Sequence, residues 1–171
     1  GLTYELRVSF FAGQSFVRLE HTVTSVSDDP YLRLRSLALS LPGAFETGAV
    51  GIDGVERTLA TLEPPHTLFQ AEADVAILDD GPPRRRADGW ARAIGDGVAV
   101  TLVAPYFWQE YPKAFLLKAD RLTLDLFAGT RTPVELGSGA AKTHEVWIAI
   151  EPASAADHPG TLARRLALPL V

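Results

Sequence analysis

The sequence predicts an all-β fold: a large antiparallel β-sandwich with a short C-terminal helix. Three observations carry this. Apolar residues recur at every second position along most of the chain, about a dozen such runs are separated by turn chemistry, and helical spacing shows only near the end.

Residues 4–10 alternate as Tyr4-Glu5-Leu6-Arg7-Val8-Ser9-Phe10, the spacing of a strand with one buried face, and Phe16 to Val23 repeats the pattern beyond a turn at Gly13-Gln14. The two read as a hairpin. After Asp28-Asp29-Pro30, residues 31–41 alternate and then slip phase so that Leu37, Leu39 and Leu41 point together, which predicts a bulge or a bend between sheets. Further strands are expected at 57–62, 67–70, 75–78, 90–94, 98–104, 114–117, 121–127, 133–136 and 145–150, set apart by turns such as Asp53-Gly54, Asp80-Gly81-Pro82-Pro83 and Gly95-Asp96-Gly97. Residues 43–54 read as a small-residue loop, and 79–89 as a second loop whose Arg84-Arg85-Arg86 run is expected to be solvated, the alternative being that it binds an acidic sugar or phosphate. Residues 161–168 take helical spacing, with Leu162, Ala163 and Leu166 on one side and Arg164 and Arg165 on the other.

At 171 residues, 47% hydrophobic and 22% charged, the chain has the composition of one globular domain with a sizeable core. Disorder, collagen and a membrane bundle are excluded. The net charge of -5 lacks the electrostatic footprint that a phosphate backbone requires, so no nucleic-acid partner is expected. No apolar run approaches the roughly 20 residues of a membrane helix, and no membrane partner is expected. The absence of Cys removes disulfides, thiolate chemistry and Cys-ligated zinc. With no Met and strand-like sequence from Gly1-Leu2-Thr3 onward, residues 1–171 read as a single domain cut from a longer protein.

Local catalytic signatures are missing: there is no Gly-rich phosphate loop, no GxSxG and no HExxH, and His21, His66, His144 and His158 are too dispersed for a local metal motif. No cofactor or metal is expected, and no catalytic residue is assigned. Two segments concentrate polar and aromatic groups. In Pro105-Tyr106-Phe107-Trp108-Gln109-Glu110-Tyr111-Pro112-Lys113, aromatic rings stand beside an amide and an ammonium. Rings stack on the C–H faces of sugars while amides and ammonium groups bond hydroxyls and carboxylates, so Tyr106, Trp108, Gln109 and Lys113 are candidate substrate-binding residues. The alternative is that the rings close the end of the sandwich, which is the expectation for Phe107. In Gly137 to Glu145, a small-residue loop delivers Lys142 and His144 to the mouth of the apolar strand Val146-Trp147-Ile148-Ala149-Ile150. Alternation puts Lys142 and His144 on one face and Thr143, Glu145 and Trp147 on the other. Lys142 and His144 suit an anionic sugar, or else a solvated edge and a buried, satisfied imidazole.

Gln70, Gly89-Trp90, Phe107-Trp108-Gln109, Pro112-Lys113, Leu122-Thr123-Leu124 and Lys142-Thr143-His144-Glu145, with the opening Phe11-Ala12-Gly13 and Phe16 to Thr22, resemble the ordered landmarks of the exo-rhamnogalacturonan lyase-like (PcRGLX/YetA-like) family. The resemblance implies a central β-sandwich of the galactose-mutarotase-like or supersandwich type, set between an N-terminal barrel and a C-terminal helical toroid of a secreted or cell-surface protein. It also implies a parent enzyme that cleaves a uronate-bearing polysaccharide by β-elimination, with Lys142 and His144 chemically suited to that site. The isolated domain, lacking the toroid, is expected to be inactive. Its expected partners are a polysaccharide or oligosaccharide of acidic type and the flanking domains of its own chain. The competing readings are a structural or docking module, in which Trp108 and His144 are buried, and a free-standing carbohydrate-binding module with an exposed aromatic platform.

Overall fold

A computed structural model of the protein describes residues 1–128, 133–154 and 159–167. In chain order the strands are β1 (Leu2–Phe10), β2 (Phe16–Ser25), β3 (Tyr31–Leu34), β4 (Ala38–Pro42), β5 (Thr47–Ile52), β6 (Val55–Leu59), β7 (His66–Glu72), β8 (Val75–Leu78), β9 (Ala87–Gly95), β10 (Val98–Val103), β11 (Lys113–Lys118), β12 (Arg121–Asp125), β13 (Val134–Gly137) and β14 (Ala141–Pro152), followed by the helix α1 (Pro159–Ala167). A seven-stranded sheet runs β1-β2-β14-β10-β9-β5-β6 and a five-stranded sheet runs β4-β12-β11-β7-β8, with β13 and β3 forming a separate ribbon. Every pairing between these strands is antiparallel. The predicted all-β antiparallel sandwich with one short C-terminal helix is the fold observed.

The period-two pattern explains the layering. Leu19, Val146, Ile148, Val100, Leu102 and Val50 of the larger sheet share one core with Leu68, Phe115, Leu117, Leu122 and Leu124 of the smaller. These strands therefore bury their apolar faces between the two main sheets, the arrangement that two one-sided sheets reach by removing that face from water. The outer face of the larger sheet is covered in part by α1, whose Leu162 and Ala163 are buried. Ala163 joins Trp90, Val103 and Trp147 in a second cluster flanked by Leu166, so the predicted apolar side of the helix is the side that packs.

Two expectations change, and the bend between sheets at residues 31–41 is met. Residues 43–54 are not simply a loop: β5 lies inside them, paired to β6 and β9 in the body of the sheet. Its small residues reflect crowding, since a Cβ on Gly51 would fall 2.3 Å from the Trp90 ring nitrogen. Residues 31–41 divide into β3 and β4, which join different sheets, so the phase slip marks a crossing between them. Lys142 and His144 lie within β14 and not on a loop leading to it. Of the predicted helix, Leu168 lies outside the described residues, as does His158.

Candidate functional site

The turn between β10 and β11, residues 104–112, sends its side chains to two separate places. Tyr106 has a left-handed backbone (φ 59°), uncommon for a bulky residue. Its carbonyl accepts from the amides of both Gln109 and Glu110. Phe107 turns inward, almost wholly buried and stacked on Phe115 at 4.7 Å, as expected for core closure. Tyr106 and Gln109 stay exposed and Trp108 is half-buried.

Trp108 and Asp88 line two neighbouring concavities. The larger, of about 590 Å³, is walled by β9 and α1 and includes Arg86, Asp88, Trp90, Trp108 and Arg164. The smaller, of about 190 Å³, is lined by Asp88, Tyr106, Trp108 and Gln109 among others. The Arg86 guanidinium lies 3.8 Å from the centroid of the Trp108 ring, a cation–π contact that fixes the ring's orientation. Arg84 and Arg85 are exposed as expected of the arginine run, whereas Arg86 is not simply solvated. Both carboxylate oxygens of Asp88 accept from the Gly54 amide, at 3.0 and 3.1 Å. Burial raises the Asp88 carboxyl above its ordinary value, with the Gly54 hydrogen bond and Arg164 acting in opposition.

The second place is a polar layer between the sheets. Lys113 at the start of β11 and His144 in β14 are each 1% exposed, and both face Glu110. Glu110 accepts from Lys113 Nζ at 2.6 Å and from Lys142 Nζ at 2.7 Å. The Nδ1 of His144 stands 3.5 Å from Glu110 Oε2, an ion-pair separation too long for a well-formed hydrogen bond. The Phe127 ring meets His144 edge-on at 5.3 Å. His21, directly opposite His144 across the β2–β14 pair, packs its ring on Tyr4.

Burial drives the titration of this layer. It lowers the His144 pKa, against a partial offset from Glu110, and burial followed by the His144 charge lowers His21. Burial likewise lowers Lys113 against the pull of Glu110. Burial alone would raise Glu110, but the nearby His144 and the hydrogen bonds from Lys113 and Lys142 together hold it far below the usual carboxylate range.

The six sequence candidates thus separate into two groups. Tyr106, Trp108 and Gln109 converge on the smaller concavity, while Lys113, Lys142 and His144 converge on Glu110; Trp108, Lys142 and His144 do not share one open cleft. Lys113 and His144 are closed off from solvent, and Lys142 reaches it only in part. Sequence reasoning did not single out Asp88, Arg164 or Glu110 as site residues, and it named Arg86 only within the arginine run, where binding was the alternative to a solvated loop. Glu110 had a local signal in its spacing of three from Lys113, but the others come from separate segments joined by the fold. Among the described residues, no group of three or more His, Asp or Glu could hold a metal ion.

No family model matches the chain, and no curated protein matches it. Among solved structures, the chain is similar to a putative aldose 1-epimerase from Escherichia coli K12, with a TM-score of 0.41 and 11% identity over 87% of this chain. The chain spans 60% of the length of that protein.

Proposed function

We propose that the chain is a carbohydrate-binding β-sandwich domain whose sugar site is the pair of concavities that share Trp108 and Asp88. The observation that carries this reading is the half-buried Trp108 ring, oriented by Arg86, beside a carboxylate that lines both concavities. An indole face takes the C–H face of a pyranose, a carboxylate accepts from hydroxyls, and guanidinium groups donate to hydroxyls or to a uronate. Arg86 and Arg164 supply the donors and Asp88 the acceptor. An acidic oligosaccharide of the rhamnogalacturonan type, which the sequence landmarks imply, places its uronate beside either arginine.

The domain binds and does not turn over substrate on its own. β-Elimination asks for a base in contact with the sugar, and His144 is enclosed between the sheets. Lys142 neutralises Glu110 and would have to leave it to meet a substrate carboxylate. If the parent protein is a lyase, its catalytic groups come from outside these residues, and this domain supplies one wall of the cleft.

A second reading, a structural or docking module, is favoured by one observation: Lys113 and His144 end inside the sandwich, where ion pairing to Glu110 closes one end of it. Titration calorimetry with rhamnogalacturonan oligosaccharides separates the two. Saturable heat that Trp108→Ala and Asp88→Asn each abolish, and that His144→Gln leaves intact, supports the sugar site. No heat at millimolar ligand, or heat insensitive to Trp108 and Asp88, supports the structural module.

A further inference from the structure

We propose that two copies of this chain associate by antiparallel pairing of β1 with β1 about a two-fold axis at Leu6, joining their seven-stranded sheets into one. β1 is an edge strand of nine residues paired on one side to β2. Its even-numbered side chains face the same way as Leu19 and Val23, which lie in the core, yet Tyr4 is 67% and Phe10 78% exposed. Leu2, Leu6 and Val8 complete this uncovered apolar row. A groove of about 300 Å³ beside it is lined by Tyr4, Leu6, His21, Leu39 and Leu126. The strand lacks Pro, Lys and any bulge, the devices by which edge strands ordinarily resist pairing.

The backbone parity fits. The Val26 amide donates to the Gly1 carbonyl, and the Ser25 amide donates to Ala140 on the other side of β2. Odd residues of β1 therefore bond to β2, and the amides and carbonyls of Leu2, Tyr4, Leu6, Val8 and Phe10 point to the free edge. An axis at Leu6 uses all of these groups and pairs the whole strand: Leu2 opposes Phe10, and Tyr4 opposes Val8.

Charge selects the same register. About Leu6, Glu5 of one copy stands opposite Arg7 of the other, twice per dimer, at non-hydrogen-bonded positions where opposing side chains approach most closely. Moving the axis to Glu5 or Arg7 sets like charges against each other and leaves strand ends unpaired. Within one copy, Arg7 already reaches Glu5 at 3.0 Å and Glu20 at 4.0 Å, so the partner's carboxylate joins an existing network.

Sedimentation equilibrium of the full chain tests this, with circular dichroism confirming the fold of each variant. The wild type is expected to form dimers. Glu5→Arg alone and Arg7→Glu alone are each expected to weaken dimerisation about tenfold, since two attractive pairs become repulsive, and the two together to recover most of the loss. Leu6→Pro removes an amide that points to the free edge and not to β2, and is expected to give folded monomers. A wild type that stays monomeric up to about millimolar concentration, as when another protein covers this face, overturns the proposal. So does a dimer indifferent to Glu5→Arg and Leu6→Pro.

Discussion

The buried ammonium of Lys113 and the carboxylate of Glu110, three residues apart across the turn into β11, meet at 2.6 Å. Lys113 is 1% exposed, so this pair decides whether a cation can sit between the sheets at all. Glu110→Gln leaves that ammonium without its counter-charge and is expected to cost about 2–4 kcal/mol of stability, whereas Lys113→Met, which removes the buried charge, costs less than about half of that. Urea unfolding of both variants checks the order.

Acid acts on the same layer. His144 and His21 have pKa values lowered by burial from the ordinary 6.5, so as pH falls below that value the unfolded chain takes up protons that the folded one refuses, and stability drops. Glu110, also lowered, adds a further loss as pH falls below its ordinary 4.5. The double variant His21→Gln/His144→Gln is expected to flatten the upper part of this profile and leave the lower part. Unfolding free energies measured between pH 8 and pH 4 show whether the first descent belongs to the histidines.

Backbone contact makes Gly95 hard to replace among the described glycines. A Cβ there would lie 1.9 Å from the Ala44 carbonyl oxygen and 2.7 Å from the Phe45 Cα, both backbone atoms that cannot turn aside. Gly95→Ala is expected to cost about 3 kcal/mol or more. Gly54→Ala faces open space but a φ of +75°, and should cost about 1 kcal/mol. Thermal unfolding of the two variants separates steric from conformational cost.

Trp108 is also the natural reporter of the site. Trp90 and Trp147 are 2% and 5% exposed, so acrylamide is expected to quench chiefly Trp108. Trp108→Phe should remove most of the quenchable emission, and Arg86→Ala should increase quenching by uncovering one ring face. Equal quenching of wild type and Trp108→Phe would show that the ring is not the accessible one.

Much of the sandwich was legible because a strand with one apolar face writes itself as alternation: residues 16–23 read as the strand they form, residues 4–10 do so although their apolar row is uncovered, and 75–78 read as a short apolar run between turns. β5 was not legible, since both of its faces are covered and Gly48, Ala49 and Gly51 are small for packing reasons, leaving no alternation to read. The site was legible in its parts. The shared face of Lys142 and His144 follows from strand periodicity, but their meeting with Lys113 depends on Glu110 standing between two sheets. Trp108 and Glu110, two residues apart, face different surroundings because the chain turns through a left-handed Tyr106, which no spacing rule announces. The larger concavity draws on the β5–β6 hairpin, β9 with the residue before it, the 104–112 turn and α1, four segments brought together by the fold.

The claim that sugars bind at Trp108 and Asp88 is tested most directly by backbone amide chemical-shift mapping of the domain titrated with acidic oligosaccharides. The account predicts saturable shifts confined to residues 86–90, 105–110 and 160–164, with Asp88→Asn abolishing them. Shifts centred on the β1–β2 groove, or none at millimolar ligand, would contradict it.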